Sequence, residues 1–211
     1  MGRTTGTSRL VALDVVLLPP RAAAVALGRL NARLQPPPGG FVFDDTHLPH
    51  VTLVQQFVPE ADLHAVLPAL GRVASETPPI PLRGVGLRRG RTTTSLDVDG
   101  GAAIRRLHDR LLERLELHAA PAADASAFVA EDEPARDADV DWVTHFRTQA
   151  AGPRFEPHVT LGVGALGGAA PRIAFAATEL AACHLGRFCT CRRVLARWRL
   201  GDTAEATEPE S

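Results

Sequence analysis

The sequence contains no lysine, so all 23 of its basic residues are arginine, and it contains no tyrosine. Without lysine, the chain cannot supply the phosphate-binding lysine of a Walker motif or a Schiff-base lysine. It also cannot form the lysyl-adenylate of an ATP-dependent ligase. Any phosphate or carbonyl chemistry must therefore use other side chains.

Cysteines and long apolar runs are scarce as well. The three cysteines, Cys183, Cys189 and Cys191, lie in one short segment, which argues against a disulfide framework and for a reducing compartment. The first apolar run, 10–18, is interrupted by Asp14 and is too short to span a bilayer. The net charge of −1 gives no overall attraction to nucleic acid or to an anionic membrane. We expect a cytoplasmic monomer with no membrane partner.

One pentapeptide occurs twice, because Pro-His-Val-Thr-Leu fills positions 49–53 and again positions 157–161. Valine, threonine and leucine favour strands, and proline is tolerated at a strand's first position. Side chains alternate between the faces of a strand, so His50 shares a face with Thr52, and His158 shares a face with Thr160. Each copy therefore presents an imidazole beside a hydroxyl.

This pairing suits phosphodiester cleavage without a metal. A histidine of near-neutral pKa can give or accept a proton at physiological pH, and a threonine hydroxyl can donate a hydrogen bond to an anionic oxygen. Two such pairs facing one cleft would supply an acid, a base and two donors for a phosphate.

Hydrophobic periodicity divides the chain into two comparable halves, each with a His-x-Thr strand followed by a connection and two more strands. The second half lacks a clear connecting helix. The first half is predicted to contain strands at 9–18, 50–57, 80–87 and 92–98, with helices at 21–34, 60–73 and 104–115. The second half is predicted to contain a short helix at 141–150, the second motif strand, and a strand pair at 173–185 and 193–200.

Two segments lack the pattern of packed elements. Residues 118–141 are rich in alanine, proline and acidic residues, which predicts an exposed, acidic, mobile connection between the halves. Trp142 and Phe146, in the helix that follows, are predicted to point inward. Residues 202–211 are predicted to form a disordered acidic tail.

The two His-x-Thr motifs, each starting a strand in a duplicated half, resemble the 2H phosphoesterase superfamily. This superfamily includes the bacterial RNA 2′,3′-cyclic phosphodiesterases, often labelled 2′-5′ RNA ligases. The resemblance implies an α+β fold of two pseudo-symmetric lobes, each a small, mainly antiparallel sheet with helices outside, and both motifs facing a shared cleft. It implies one domain over 1–201, with lobes near 9–118 and 141–201, and it leaves open an exchange of elements between the lobes.

The resemblance also implies a function, which is hydrolysis of 2′,3′-cyclic phosphates of RNA ends or of related small nucleotides without metal or cofactor. His50 would protonate the leaving oxygen, His158 would activate water, and Thr52 and Thr160 would hold the non-bridging oxygens. The arginine that commonly follows the second motif in the RNA enzymes is replaced here by Gly162, which leaves the substrate open. ATP-independent 2′-5′ RNA ligation and a weakly active nucleotide- or RNA-binding module are the alternatives.

Other residues are weaker candidates for substrate binding. Phe43 and Phe155 precede the motifs and could stack on a base, although core packing is the commoner role of phenylalanine. Arg83, in a predicted arginine-rich hairpin, could bind a phosphate, although a solvated ion pair is at least as common. His184 lies near the cysteines, but Cys-x-Cys with one nearby histidine lacks the paired spacing of a zinc site. We expect no metal.

Overall fold

The computed structural model describes residues 9–130, 133–168 and 172–202. Within these ranges the chain forms two four-stranded antiparallel sheets and several helices, which confirms the predicted α+β class. The strands are β1 (Leu10–Leu18), β2 (Val51–Pro59), β3 (Ile80–Arg89), β4 (Thr93–Asp99), β5 (His158–Val163), β6 (Ala174–Ala177), β7 (Glu179–Leu185) and β8 (Cys191–Arg199). The α-helices are α1 (Arg21–Asn31), α2 (Leu63–Ser75), α3 (Gly101–Leu115) and α4 (Asp137–Gln149).

Each sheet takes strands from both halves of the chain. The first sheet has the order β2-β1-β7-β8, and the second has the order β5-β4-β3-β6. β7 pairs with β1 of the first half and with β8, while β5 and β6 pair onto the β3–β4 hairpin.

The two motif strands, β2 and β5, are edge strands of their sheets and lie next to each other. Each carries a bulge directly after its motif threonine. Val16 is opposite Thr52 but Val15 is opposite Val54, which leaves Leu53 as the extra residue. Leu161 is the extra residue in β5 by the same comparison. A bulge redirects the side chains that follow it, and in β2 it places Gln55 opposite Asp14.

The main core lies between the sheets and helices α1, α2 and α3. One face of β1 buries Val11, Leu13, Val15 and Leu17 against this core, together with the motif leucines Leu53 and Leu161. Because β1 alternates, Asp14 points to the opposite face, where the cleft lies. The motif histidines are thus held on strands whose other face is firmly packed.

The segment predicted to be an exposed connection is partly buried, so that prediction was wrong for its centre. Ala127 and Phe128 pack against Phe57, and the Val129 N–H donates to the Leu185 carbonyl oxygen. Small alanines and one aromatic ring were enough to cover the end of the first sheet, and an alanine-rich composition does not signal this. Helix α4 begins at Asp137, four residues before the predicted start, and it buries Phe146 but only part of Trp142.

Two further expectations are corrected near the C-terminus. The predicted strand 173–185 is broken at Thr178, because β6 joins the second sheet and β7 joins the first. Cys183 and Cys191 form a disulfide between β7 and β8, contrary to the expectation of unpaired cysteines. The predicted tail lies outside the described residues apart from Asp202. No helix in the described part of the chain is long and apolar enough to cross a bilayer.

Candidate active site

Both motif histidines are held in the same tautomer by the backbone. Nδ1 of His50 lies 2.7 Å from the Leu48 carbonyl oxygen, and Nδ1 of His158 lies 2.8 Å from the Glu156 carbonyl oxygen. A carbonyl oxygen can only accept, so each Nδ1 carries a proton and donates it. Nε2 is therefore the nitrogen that each imidazole offers for proton transfer.

The surroundings of the two imidazoles favour their neutral forms. Burial lowers the pKa of His50, and the neighbouring His158 adds to the effect. Burial also lowers the pKa of His158, and Arg88 acts in the same direction against Asp97 and Glu156. A charge on either imidazole disfavours a charge on the other, so one of them is neutral and able to act as a base near neutral pH.

The motif residues meet in one cleft of about 400 Å³ between the two sheets and α4. This volume falls within the range of roughly 300–1,000 Å³ that is typical of small-molecule sites. His50, Thr52, His158 and Thr160 all line it. The remaining lining residues include Phe41, Phe43, Gln55, Arg88, Thr93, Ser95, Arg136, Trp142, Arg154, Phe155, Phe188 and Cys189.

The sequence profile of the 2′-5′ RNA ligase superfamily matches residues 19–201. The chain belongs to this superfamily. The recognition of a 2H phosphoesterase from its two motifs is thereby confirmed. No curated protein is similar enough in sequence to match.

Solved structures of the superfamily's fold extend the comparison. TT0787 of Thermus thermophilus is similar with a TM-score of 0.60 and 16% identity, covering 90% of this chain and 98% of that protein. Apo LigT of E. coli has a TM-score of 0.53 and 18% identity, with coverage of 92% and 99%. LigT has also been solved with 3′-AMP, at a TM-score of 0.53 and 18% identity, with coverage of 90% and 98%. At these identities the likeness establishes the shared fold.

Three arginines line the cleft. Arg88 belongs to the arginine-rich hairpin that the sequence offered for phosphate binding, and the sequence did not single out the other two, Arg136 and Arg154. Arg88 bonds to Asp97 at 2.9 Å and to Glu156 at 2.6 Å. Arg136 pairs with Asp139, and Arg154 donates to the Thr148 carbonyl oxygen. Arg83, the predicted phosphate ligand, lies away from the cleft and pairs with Asp99 at 2.8 Å. Position along β3 explains the difference, because the partners of Arg83 and Arg88 in β4, Asp99 and Ser95, are four residues apart and share a face. Arg88 is the one level with Ser95, which is opposite the motif Thr160 in β5.

The two phenylalanine candidates differ in their environment. Phe43 is partly exposed beside the cleft. Phe155 is 3% exposed and stacks on His108 at 3.9 Å between ring centroids, so the core already occupies one of its faces. His108, on α3, is fully buried. Its Nδ1 donates to the Leu53 carbonyl oxygen, and its Nε2 accepts from the Gly152 N–H.

Asp14 is the main site residue that the sequence analysis missed. It is fully buried on the cleft face of β1, and its Oδ2 lies 3.6 Å from Nε2 of His50. Burial raises the pKa of Asp14 to about 8 against the opposing hydrogen bonds from Gln55 and Thr52. An acidic residue in the middle of an otherwise apolar strand was the available signal.

The cysteine-rich segment does not gather metal ligands. Cys183 and Cys191 are joined to each other, and Nε2 of His184 bonds to the Ala127 carbonyl oxygen. Cys189 contacts Asp139, and burial raises the pKa of its thiol well above the usual range. Across residues 9–130, 133–168 and 172–202, no group of three or more His, Cys, Asp or Glu side chains is placed to hold a metal ion.

Proposed function

We propose that this protein is a phosphodiesterase that opens 2′,3′-cyclic phosphates of RNA ends or of small nucleotides by two-histidine acid–base catalysis. The observation that carries the proposal is the pair of imidazoles whose Nδ1 atoms are fixed by backbone carbonyls and whose Nε2 atoms serve one cleft. General acid–base catalysis requires this arrangement of one donor and one acceptor beside the reacting phosphate.

In the proposed reaction, Nε2 of His158 takes a proton from water as its oxygen attacks phosphorus. Nε2 of His50 gives a proton to the ribose oxygen as its bond to phosphorus breaks. The lowered pKa of His158 suits a base that starts neutral. Thr160 would donate to one non-bridging oxygen. Thr52, whose hydroxyl donates to Oδ2 of Asp14, would turn to donate to the other. Arg88, separated from Thr160 by β4, would offset charge that builds up on the phosphoryl group.

The dimensions of the cleft favour a nucleotide-sized reacting group. A volume of about 400 Å³ accommodates one nucleotide, and LigT of E. coli has been solved with 3′-AMP and with ATP. The cleft arginines are paired with acidic groups or bonded to the backbone. We therefore expect recognition of one cyclic phosphate and its nucleoside, rather than of a long polyanion.

The direct test is to incubate the pure protein in EDTA with a panel of cyclic phosphates. The panel contains 2′,3′-cyclic mononucleotides, an RNA oligomer ending in one, and ADP-ribose 1″,2″-cyclic phosphate. We expect hydrolysis of at least one class, and the 2′- or 3′-phosphate product identifies the bond that breaks. Absence of turnover on the whole panel, with protein whose fold is verified by circular dichroism, would contradict the proposal.

ATP-independent 2′-5′ ligation is the second candidate, favoured by the superfamily match itself. It is the same chemistry run in reverse, with a ribose hydroxyl in place of water. RNA fragments carrying a 2′,3′-cyclic phosphate and a 5′-hydroxyl would then be joined without ATP. The ratio of joined to hydrolysed product, measured with excess acceptor, separates the two activities.

A further inference from the structure

Asp14 makes the two halves of the cleft chemically different. The two motifs are identical over five residues, so any difference between their histidines comes from their neighbours. In β1, Val16 is opposite Thr52, and Asp14, two residues earlier, is opposite Gln55. In β4, Ser95 is opposite Thr160, and Thr93, two residues earlier, is opposite Val163. At this position a carboxyl stands beside the first motif and a neutral hydroxyl beside the second. The acidic groups near His158 are Asp97 and Glu156, and both are paired with Arg88.

The carboxyl of Asp14 is firmly placed next to His50. Its Oδ2 accepts from the Gln55 amide at 2.6 Å and from the Thr52 hydroxyl at 3.0 Å, and it lies 3.6 Å from Nε2 of His50. Trp142 of α4 donates to Oε1 of Gln55 at 2.8 Å, which turns the amide group of Gln55 toward Asp14. Oδ1 of Asp14 is buried and has no hydrogen-bond partner among the described residues.

The other groups that face Asp14 leave His50 as its partner. Cys183, opposite Asp14 in β7, is held in the disulfide and does not titrate. The Cys189 thiol lies within electrostatic range, and its raised pKa keeps it neutral. In the described part of the chain, the basic group within ion-pair distance of Asp14 is the imidazole of His50. His158 acts electrostatically on His50 in turn.

We propose that Asp14 is a positioning residue that shares one proton with His50 and thereby makes His50, rather than His158, the general acid. This inference rests on the proposed function. When Thr52 turns its hydroxyl from Oδ2 of Asp14 to the phosphate, Oδ2 can carry the shared proton and close from 3.6 Å to hydrogen-bond distance of Nε2 of His50. The proton then moves from Oδ2 to Nε2, and from Nε2 to the leaving oxygen as its bond to phosphorus breaks. The proton from water ends on Nε2 of His158. After product release, His158 gives its proton to solvent, and the Asp14–His50 pair takes one up.

The directions in which burial shifts the pKa values of Asp14 and His50 agree with this geometry. Burial lowers the pKa of His50, which alone would leave it without a proton to give. Burial raises the pKa of Asp14 to about 8, so the pair as a whole keeps one proton through neutral pH. His158 has Thr93 where the other half has Asp14, and it starts the reaction as a neutral base.

The decisive measurement is an NMR titration of the histidine rings, which does not depend on activity. In the wild-type protein we expect the His50 ring signals to report two steps, one of them the alkaline titration of Asp14. In Asp14→Asn the alkaline step should disappear, while the titration of His158 keeps its midpoint. Asp99→Asn, which changes a carboxylate outside the cleft, is the matched control and should leave both rings unchanged.

Kinetics supply the second readout. On a cyclic phosphate, Asp14→Asn should lower kcat by roughly 10- to 100-fold and move the alkaline limb of the pH–rate profile to lower pH. A p-nitrophenyl phosphodiester of thymidine has a leaving group that needs no protonation, so on it the variant should approach wild-type turnover. A residue with a merely structural role would affect both substrates alike.

The possible failures are distinguishable. If no cyclic phosphate is hydrolysed by the wild-type protein, the proposed function fails, and the ring titration still decides the proton sharing. A single-step titration of His50 in the wild-type protein overturns the inference whether or not Asp14→Asn folds. Equal losses on the cyclic and the activated substrate would also overturn it.

Discussion

At the residue scale, the two motif histidines should be indispensable to turnover. Because a positioned acid or base contributes roughly 10²–10⁴-fold, His50→Ala and His158→Ala are each expected to lower kcat on a cyclic phosphate by about that factor. His64→Ala, an exposed position on α2, is the control and should retain wild-type turnover. Hydrolysis that persists in both motif variants would exclude the two-histidine mechanism.

The same two residues determine the pH dependence. One of the two histidines must have a proton to give while the other is neutral, so the rate should pass through a maximum with pH and fall on both sides of it. Because burial lowers the pKa of His158 below its usual value, the acidic limb should lie below the ordinary histidine range. Single-turnover measurements across pH check this, and an acidic limb above that range would contradict the environment described for His158.

The residues of the site show what could and could not be predicted from the sequence. The repeated His-x-Thr pattern was enough to place each histidine beside its threonine on one strand face, because strand alternation is a local property. The expectation that both pairs face one cleft came from the resemblance to the 2H phosphoesterases. Asp14 could not be assigned, because it reaches His50 through the pairing of β1 with β2. Arg88 could not be separated from the other arginines of its hairpin, because its place at the cleft depends on the pairing of β3, β4 and β5. Arg83 and Arg88 both belong to β3, and only the pairing of β4 with β5 distinguishes them.

At the element scale, His108 connects helix α3 to both motif strands. Its ring bonds to the backbone of Leu53, directly after the first motif threonine, and to Gly152 in the turn before β5, and it stacks on Phe155. The neutral tautomer with the proton on Nδ1 satisfies both bonds, which agrees with the pKa of His108 being lowered by burial. This side chain therefore sets the distance between two segments that carry the catalytic groups.

Replacing His108 should destabilise the fold. In His108→Leu the Leu53 carbonyl and the Gly152 N–H would lose their buried partner, at a cost of about 2–4 kcal/mol in the free energy of unfolding. His64→Leu removes a ring that bonds to the exposed Ala61 carbonyl oxygen and should change stability by less than about 0.5 kcal/mol. Urea unfolding followed by circular dichroism measures both, and equal midpoints would contradict the connecting role.

Helices with a strong hydrophobic periodicity were predicted well. Strand boundaries that depend on pairing between distant segments were predicted poorly. The predicted helices at 21–34, 60–73 and 104–115 are observed within a few residues, because an apolar face repeating every three to four residues is a helical signal. The run 173–185 was read as one strand, since nothing local marks Thr178 as the point where the chain passes from one sheet to the other. The burial of Phe128 was missed for the same reason, because its partner Phe57 is distant in sequence.

At the scale of the whole molecule, neither half of the chain contains a complete sheet. The first half supplies β1 and β2 to one sheet and β3 and β4 to the other, and the second half completes both. Each motif strand is therefore paired to a strand of the first half, including β5, which pairs with β4. The duplication visible in the sequence is one of motifs, whereas each sheet of the fold requires strands from both halves of the chain.

Separate halves should therefore fail to fold alone. Without β7 and β8, a fragment of residues 9–130 would leave β1 as an open edge, and without β5 it would expose Leu96 and Val98 of β4. Fragment 133–202 would hold β5 and β6 with no strand between them. We expect each fragment to give a poorly dispersed amide spectrum, and an equimolar refolded mixture to regain cooperative unfolding and the cleft. Cooperative unfolding of fragment 9–130 by itself would show that the exchanged strands are dispensable, and would place the stability of the molecule in its first half.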